Sequence, residues 1–339
     1  MWSGSSFPGT IPSRSYRANA RRGDCRRQHG RDQACGSGLP VDPRRCPQAG
    51  GGGLSTGRRQ HRHRRWRHGR RRTRRPRRTD FVTFTGSPAV GASVQQSAAR
   101  NHIGCTLELG GKSPQIVFED ADFNEALPVL TNAIIQNAGQ TCSAGSRLLV
   151  QRSAMDRLLP PLAERFRGLR AGPHDIDLDC GPLVSRVQRD RVQAFVDQAR
   201  ADNIPLVASG EVVAQAPAGG YYIPPMLFGP VPEEHVIARE EIFGPILSVI
   251  PFEDEADALR LANATDYGLV AGIWTRDGAR QMRLARQIRA GQVFINAYGA
   301  GGGVELPFGG YGKSGHGREK GFEGLLEFTR IKTVVMRHG

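Results

Sequence analysis

Lysine and glutamate are missing from the first 79 residues, where only Asp24, Asp32 and Asp42 stand against 22 arginines. That stretch carries +19, so of the chain's formal +15 the remaining residues, 80–339, hold −4. The basic balance therefore says nothing about the partners of residues 80–339, which read as an ordinary, mildly acidic protein. No apolar run reaches the roughly 18 residues of a membrane helix, which excludes that class of span. Met1–Ala20 lacks an apolar h-region and any amphipathic pattern, so it reads neither as a secretory signal nor as a transit peptide. Cysteine is scarce: Cys25, Cys35, Cys46, Cys105, Cys142 and Cys180 show no metal-ligand spacing, and no His/Cys/Asp cluster suggests a metal. A chain of 339 residues without a paired-cysteine framework fits a reducing, cytoplasmic location.

Residues 1–79 also lack hydrophobic periodicity of either 3.6 or 2. They hold Gly50–Gly53, scattered proline, and an Arg/His run from Arg58 to Arg78. Such a stretch cannot bury enough apolar surface to offset the entropy of ordering, so disorder is expected. Two readings stand. Clustered arginine could neutralise phosphates as a nonspecific nucleic-acid-binding arm. Alternatively, arginine without lysine is what a GC-rich gene yields in a wrong frame, since every CGN codon encodes Arg. Trp2–Ser13 can be back-translated so that a shifted frame reads through Pro-Trp-Asn, and an out-of-frame text is the expectation for 1–79.

Beyond Thr79 the pattern becomes regular. Asp80–Thr85 alternates apolar and polar residues and predicts a strand. Gly86 breaks it, and Ser87-Pro88 suits the N-cap and first position of a helix running to about Arg100. Short strands are predicted at Gly104–Leu109 and Ser113–Phe118, a helix over Asp122–Ala138, and a last strand over Thr329–Arg337. The β/α alternation argues for an α/β fold with a largely parallel sheet.

Two segments carry chemistry. In Asn137-Ala-Gly-Gln-Thr-Cys-Ser143 a lone cysteine sits among small residues. Free cysteine is most often a small buried hydrophobe. Here Gly139, Ser143, Ala144 and Gly145 suggest open space beside the sulfur, and exposed amides at the start of a following element would lower its pKa. In Leu107-Glu-Leu-Gly-Gly-Lys-Ser-Pro114, Glu108 is either a solvent-facing strand carboxylate or a desolvated one able to take a proton from water. Gly86-Ser-Pro-Ala-Val-Gly91, between a predicted strand and helix, suits a phosphate-binding turn.

Glu108 lies 34 residues before Cys142, and this pair of segments resembles the two active-site signatures of the aldehyde dehydrogenase superfamily. The resemblance continues through Phe84-Thr-Gly-Ser87, Glu240-Glu-Ile-Phe-Gly-Pro245, Tyr267-Gly-Leu-Val-Ala-Gly272, Val293-Phe-Ile-Asn296 and Pro307–Glu319, covering about 260 residues in order. It implies an α/β fold made of a partial Rossmann-type cofactor domain, an α/β catalytic domain and a C-terminal oligomerisation strand. The expected division is 1–79 disordered, 80–110 cofactor-domain remnant, 111–306 catalytic, 307–328 returning to the cofactor domain, and 329–339 the oligomerisation strand.

The resemblance further implies Cys142 as nucleophile and Glu108 as general base in oxidising an aldehyde to a carboxylic acid with NAD or NADP, through a thiohemiacetal and a thioester. It places Gly86, Ser87, Gly91, Leu109, Glu241 and Phe243 at the cofactor, with Glu241 on the nicotinamide ribose. Asn296 and Phe308 would border the substrate cleft, while Lys313 and His316 read as solvated loop residues. A homodimer or homotetramer and no membrane partner are expected.

The sequence departs from the family in having no Pro-Trp-Asn, whose Asn supplies an oxyanion donor, and no Lys-Pro-x-Glu cofactor motif. Losing one such donor costs about 10²–10³ in rate, so the chain as written is expected to be impaired and poorly soluble. The rivals are a non-catalytic remnant binding nucleic acid through 1–79, and acylating or esterase chemistry; Glu108 argues against the acylating kind.

Overall fold

The computed structural model describes residues 79–299 and 303–339. The expectations for 1–78, disorder and the basic arm among them, lie outside the described residues.

Two sheets organise the chain. The smaller is built from β1 (Phe81–Thr85), β2 (Gly104–Glu108) and a late strand described below, and helix α1 (Pro88–Ala99) crosses between its first two strands. β1 and β2 run parallel, in register from Phe81 opposite Gly104 to Thr85 opposite Glu108. α1 starts where expected, with Ser87 as N-cap and Pro88 at the first position, where a missing N–H removes nothing from the helix. Its Val94 packs with Leu107 and Leu109, and Ala98 is also buried.

The larger sheet follows. β3 (Pro114–Val117) leads to α2 (Phe123–Ile135), β4 (Arg147–Gln151), α3 (Met155–Gly168), β5 (Arg170–Ala171) and α4 (Arg186–Ala201). Next come β6 (Leu206–Ser209), β7 (Glu211–Val212), β8 (Met226–Phe228), α5 (Val236–Arg239), β9 (Ile246–Phe252) and α6 (Glu255–Ala262). The series ends with β10 (Tyr267–Gly268), β11 (Val270–Trp274), α7 (Gly278–Gln287) and β12 (Gln292–Ile295). Seven of these strands pair in the order β12-β11-β3-β4-β9-β8-β6. Every pairing is parallel except that of β6 with β8.

A parallel sheet needs helices on both faces, so its strands become apolar on both sides. Neighbouring residues accordingly belong to different cores. Val117, Leu148, Val249 and Trp274 face α2 and α3, with Leu130, Leu162 and Phe166. Ile116, Leu149, Ile250 and Ile273 face α4, α6 and α7, with Val192, Val196, Leu261 and Leu284.

After β12 the chain forms β13 (Tyr311–Gly312), which pairs with β10, and β14 (Gly315–His316), which pairs antiparallel with β2 and completes the smaller sheet; α8 (Gly321–Leu326) follows. The predicted boundaries differ by a residue in six places: β1 begins at Phe81, α1 ends at Ala99, β2 ends at Glu108, β3 begins at Pro114 and ends at Val117, and α2 begins at Phe123. Two differences are larger. The helix expected to reach Ala138 stops at Ile135, because Asn137, Ala138 and Gly139 turn left-handed at φ 52°, 53° and 71°. The strand expected at Thr329–Arg337 forms no ladder; from Arg330 on those residues are exposed, and a strand edge needs a partner that this single chain does not offer there.

Candidate active site

Glu108 is the last residue of β2, where the strand gives way to Gly110-Gly111. Its side chain is buried, and neither carboxylate oxygen has a hydrogen-bond partner in the protein. Desolvation, reinforced by the negative charge of Glu319, pushes its carboxyl from 4.5 to about 9. Arg318, Lys320 and the Glu319 backbone N–H pull the other way; that N–H is already donated to the Phe308 carbonyl at 2.7 Å. Gly309 lies against this carboxylate: a Cβ there would come within 2.8 Å of Glu108 Oε1, so the returning chain needs glycine at this point.

Cys142 sits in a turn between the left-handed segment and β4. The condition for a lowered pKa is not met. No helix or strand begins at Cys142; instead burial, then the charges of Glu241 and Glu108, push the thiol from 9.0 to about 12. The Cys142 and Ser143 backbone N–H groups act in the opposite direction and are outweighed. Cys142 itself is half-buried, while its neighbours are packed. Ser143, Ala144 and Gly145 are buried, and Gly139 abuts the Gly244 carbonyl so closely that no Cβ would fit. The small residues serve close packing. A cavity of about 40 Å³ remains between α2 and Tyr298 beside Ser143, and Tyr298 donates its hydroxyl to the Ser143 carbonyl at 2.7 Å.

Glu241 approaches from the loop before β9. Its Oε1 accepts the Gly111 N–H at 3.0 Å, and Gly110 leaves no room for a Cβ beside the carboxylate. Burial raises this carboxyl to about 6. Glu108, Cys142 and Glu241 are thus brought together electrostatically: both carboxylates act on the thiol. Phe243 follows at φ 61°.

The cofactor-side residues separate by role. Gly86 donates its N–H to the Glu108 carbonyl, tying the turn to the base-bearing strand. Ser87 is exposed, its side chain makes no cap hydrogen bond, and the first turn of α1 carries no acidic residue. That combination fits an anion such as a dinucleotide phosphate. Gly91 is not in the turn but inside α1, where a Cβ would lie 2.6 Å from Leu109; it allows helix and strand to touch. Leu109 is correspondingly buried in that small core, with its N–H donated to the Ser314 carbonyl.

The two cleft residues also part. Phe308 pairs with Glu319, and so lies beside the Glu108 carboxylate. Asn296 does not present its amide to the site: Oδ1 accepts from Thr275 N–H and Nδ2 donates to the Thr275 carbonyl. Lys313 forms an ion pair with Asp266, and His316 is exposed in β14.

Sequence reasoning missed three buried groups. Lys112, inside the quoted Glu108 segment, is buried with an unpartnered Nζ and is lowered by desolvation and Arg147 to about 7. Arg147 is buried and spends its guanidinium on the carbonyls of Lys112, Leu261 and Ala262. Ser314 donates to the Gly110 carbonyl and accepts from Gly268 N–H, pinning the glycine pair after Glu108. The polar types are visible in sequence; their burial is not. Among the described residues there is no cluster suited to a metal ion and no helix long and apolar enough to cross a membrane.

A buried carboxylate and a second carboxylate thus both bear on the Cys142 thiol, in an α/β chain built on two main sheets. The match to the Aldehyde dehydrogenase family model spans residues 71–334, and the chain belongs to that family. It is 42% identical over 263 residues to the betaine aldehyde dehydrogenase of Brucella anthropi, covering 77% of this chain and 54% of that protein. A crystal structure of a candidate aldehyde dehydrogenase from Burkholderia cenocepacia superposes with TM-score 0.77 at 62% identity, over 78% of this chain and 56% of that one. The NAD+ complex of the Bacillus cereus aldehyde dehydrogenase superposes with TM-score 0.73 at 37% identity, over 77% and 52%. The chain thus spans about half the length of the relatives it matches.

Proposed function

We propose that the chain carries the thiol-and-base half of an NAD(P)-dependent oxidation of an aldehyde to a carboxylic acid, with Cys142 as nucleophile and Glu108 as general base. The observation that carries this reading is the unpartnered, buried carboxylate of Glu108 acting on the Cys142 thiol. Deprotonated Cys142 sulfur attacks the carbonyl carbon, and the carbonyl π pair moves to oxygen, for which this reading assigns the Cys142 backbone N–H as a donor. When bound, a nicotinamide supplies the hydride acceptor that turns the resulting thiohemiacetal into a thioester. Glu108 then takes a proton from water as the water oxygen bonds to the acyl carbon; the C–S bond breaks and the thiolate of Cys142 is restored. A carboxylate with a raised pKa is a stronger base once ionised, which suits that step.

Ser87 at the start of α1, and Glu241 with Phe243, would hold the dinucleotide at its phosphate and at its nicotinamide end. Named relatives solved with NAD+, from Bacillus cereus and Staphylococcus aureus, support a nicotinamide cofactor. For self-association the reading assigns the C-terminal segment, where Ile331, Val334, Val335 and Met336 are exposed.

Aldehyde oxidation by the full-length chain with NAD+ is the test. Turnover is expected to fall about 10²–10³ below ordinary enzyme rates, as loss of one oxyanion donor would do, and to vanish in Cys142→Ser. Turnover that persists in Cys142→Ser would overturn the assignment.

A further inference from the structure

Helix α4 and the residues just before it contact both loops of the site. Gln140 reaches across from the nucleophile loop: its Oε1 accepts Val184 N–H at 2.8 Å, and its Nε2 donates to the Asn137 carbonyl at 3.0 Å and the Pro182 carbonyl at 3.5 Å. Asn137 answers by donating Nδ2 to the Gln140 carbonyl at 3.1 Å. From α4 itself, three consecutive carbonyls of the other loop are gripped. Arg191 donates to Glu241 O at 2.8 Å, and Gln188 Nε2 donates to Ile242 O at 3.2 Å and Phe243 O at 2.9 Å. Val192 on the same helix packs so tightly on Gly244 that a Cβ there would meet it at 2.7 Å. Gly139 and Gly244 then touch each other directly.

Both gripped loops contain left-handed non-glycine residues, Asn137 and Ala138 in one and Phe243 in the other. Such conformations cost of order 1–3 kcal/mol each and persist where surroundings hold them. The two glutamine amides are what hold them here. Loose surface glutamines would not each satisfy two or three backbone groups of a strained turn.

We propose that the segment Pro182–Val192 is a positioning platform that fixes the Glu241 carboxylate relative to Cys142, with Gln140 and Gln188 as its two attachment points. This rests on the reading of Cys142 as nucleophile, but it concerns the geometry of the loops rather than turnover. Gln140 and Gln188 are positioning residues; neither touches the reacting atoms.

The experiment is alkylation of the full-length chain by iodoacetamide at pH 8, with Cys142 modification followed by peptide mass. Glu241 carries charge at that pH and restrains the thiol from ionising. Gln188→Met and Gln140→Met keep volume and remove the amide, so Glu241 should drift from the sulfur and the rate rise about threefold, as a pKa drop of about half a unit would produce. Glu241→Gln should raise the rate by itself. In the Glu241→Gln background the Met variants should add less than about 1.5-fold, because no charge is left to move. Arg191→Met, an exposed position, repeats the test should a glutamine variant fail to fold.

Rates equal to the parent in the single variants overturn the proposal. So does a gain undiminished in the Glu241→Gln background, which would mean mere loosening. Absence of aldehyde oxidation alongside intact coupling would instead strike the proposed function and leave the platform standing.

Discussion

Glu108 and Cys142 are each held in an unfavourable place for their charged forms, and the consequences can be measured at that scale. The Glu108 carboxyl is raised from 4.5 to about 9 in the fold. The folded state therefore keeps a proton that the unfolded chain releases, so the contribution is fully present below about pH 4.5 and is lost as pH rises toward 9. Glu108→Gln, which keeps the shape and cannot ionise, should melt higher than the parent at pH 8 and equal to it near pH 4. The gain corresponds to roughly 2–4 °C per kcal/mol of relieved desolvation. Melting curves across pH 4–9 check this; a difference independent of pH would refute it. The same variant should lose the hydrolytic step, so stability and activity move in opposite directions. At this scale the sequence was informative about identity and blind to environment. Residue type and neighbours pointed to Cys142 and Glu108, and the family resemblance to Glu241, but the direction of the Cys142 shift depended on its burial and then on two carboxylates separated from it by 34 and 99 positions in the chain.

Among elements, the first strand and helix of the large sheet and the β/α alternation beyond them were legible, since parallel strands buried on both faces read as apolar runs between helices. What pattern could not show was where a helix stops for reasons of shape. Pro128 lies inside α2 without ending it and no glycine precedes Asn137 in the helix, yet α2 ends where Asn137, Ala138 and Gly139 turn against Gly244. Gly91 is the converse case. Its place in a Gly-x-x-x-x-Gly spacing suggested a phosphate turn, and the structure shows that it is also the contact point of α1 on Leu109. Gly91→Leu should push α1 off β2, at a cost of about 1–3 kcal/mol for overpacking. Hydrogen exchange would then quicken over Pro88–Ala99 and leave β9 and β11 protected. Unchanged exchange in α1 would show that this contact tolerates a side chain.

For the whole molecule, the described residues end in a tail whose apolar residues cover nothing in their own chain. Ile331 and Val335 are 97% and 89% exposed, and single scattered apolar residues need no explanation whereas a run of them does. The alternating pattern of Thr329–Arg337 predicted a strand, and the missing ladder is consistent with an edge that needs another chain. Truncation after Thr329 should reduce the mass seen by light scattering to that of one chain, if the full chain assembles through this segment. An unchanged assembly state would place the contact elsewhere.

The back-to-back meeting of Gly139 and Gly244 has a consequence for engineering. With no side chain between them, the two loops are separated by little more than hydrogen atoms. A chimera that imports either loop from a relative inherits a steric condition on the other. A donor loop bearing alanine at position 139 would need the 240–245 turn rebuilt in the same step, whereas alanine at 244 would meet Val192 of α4 instead. Grafts that exchange residues 137–143 and 240–245 together should therefore fold and express where either graft alone fails, and the pair is the natural unit of transplantation.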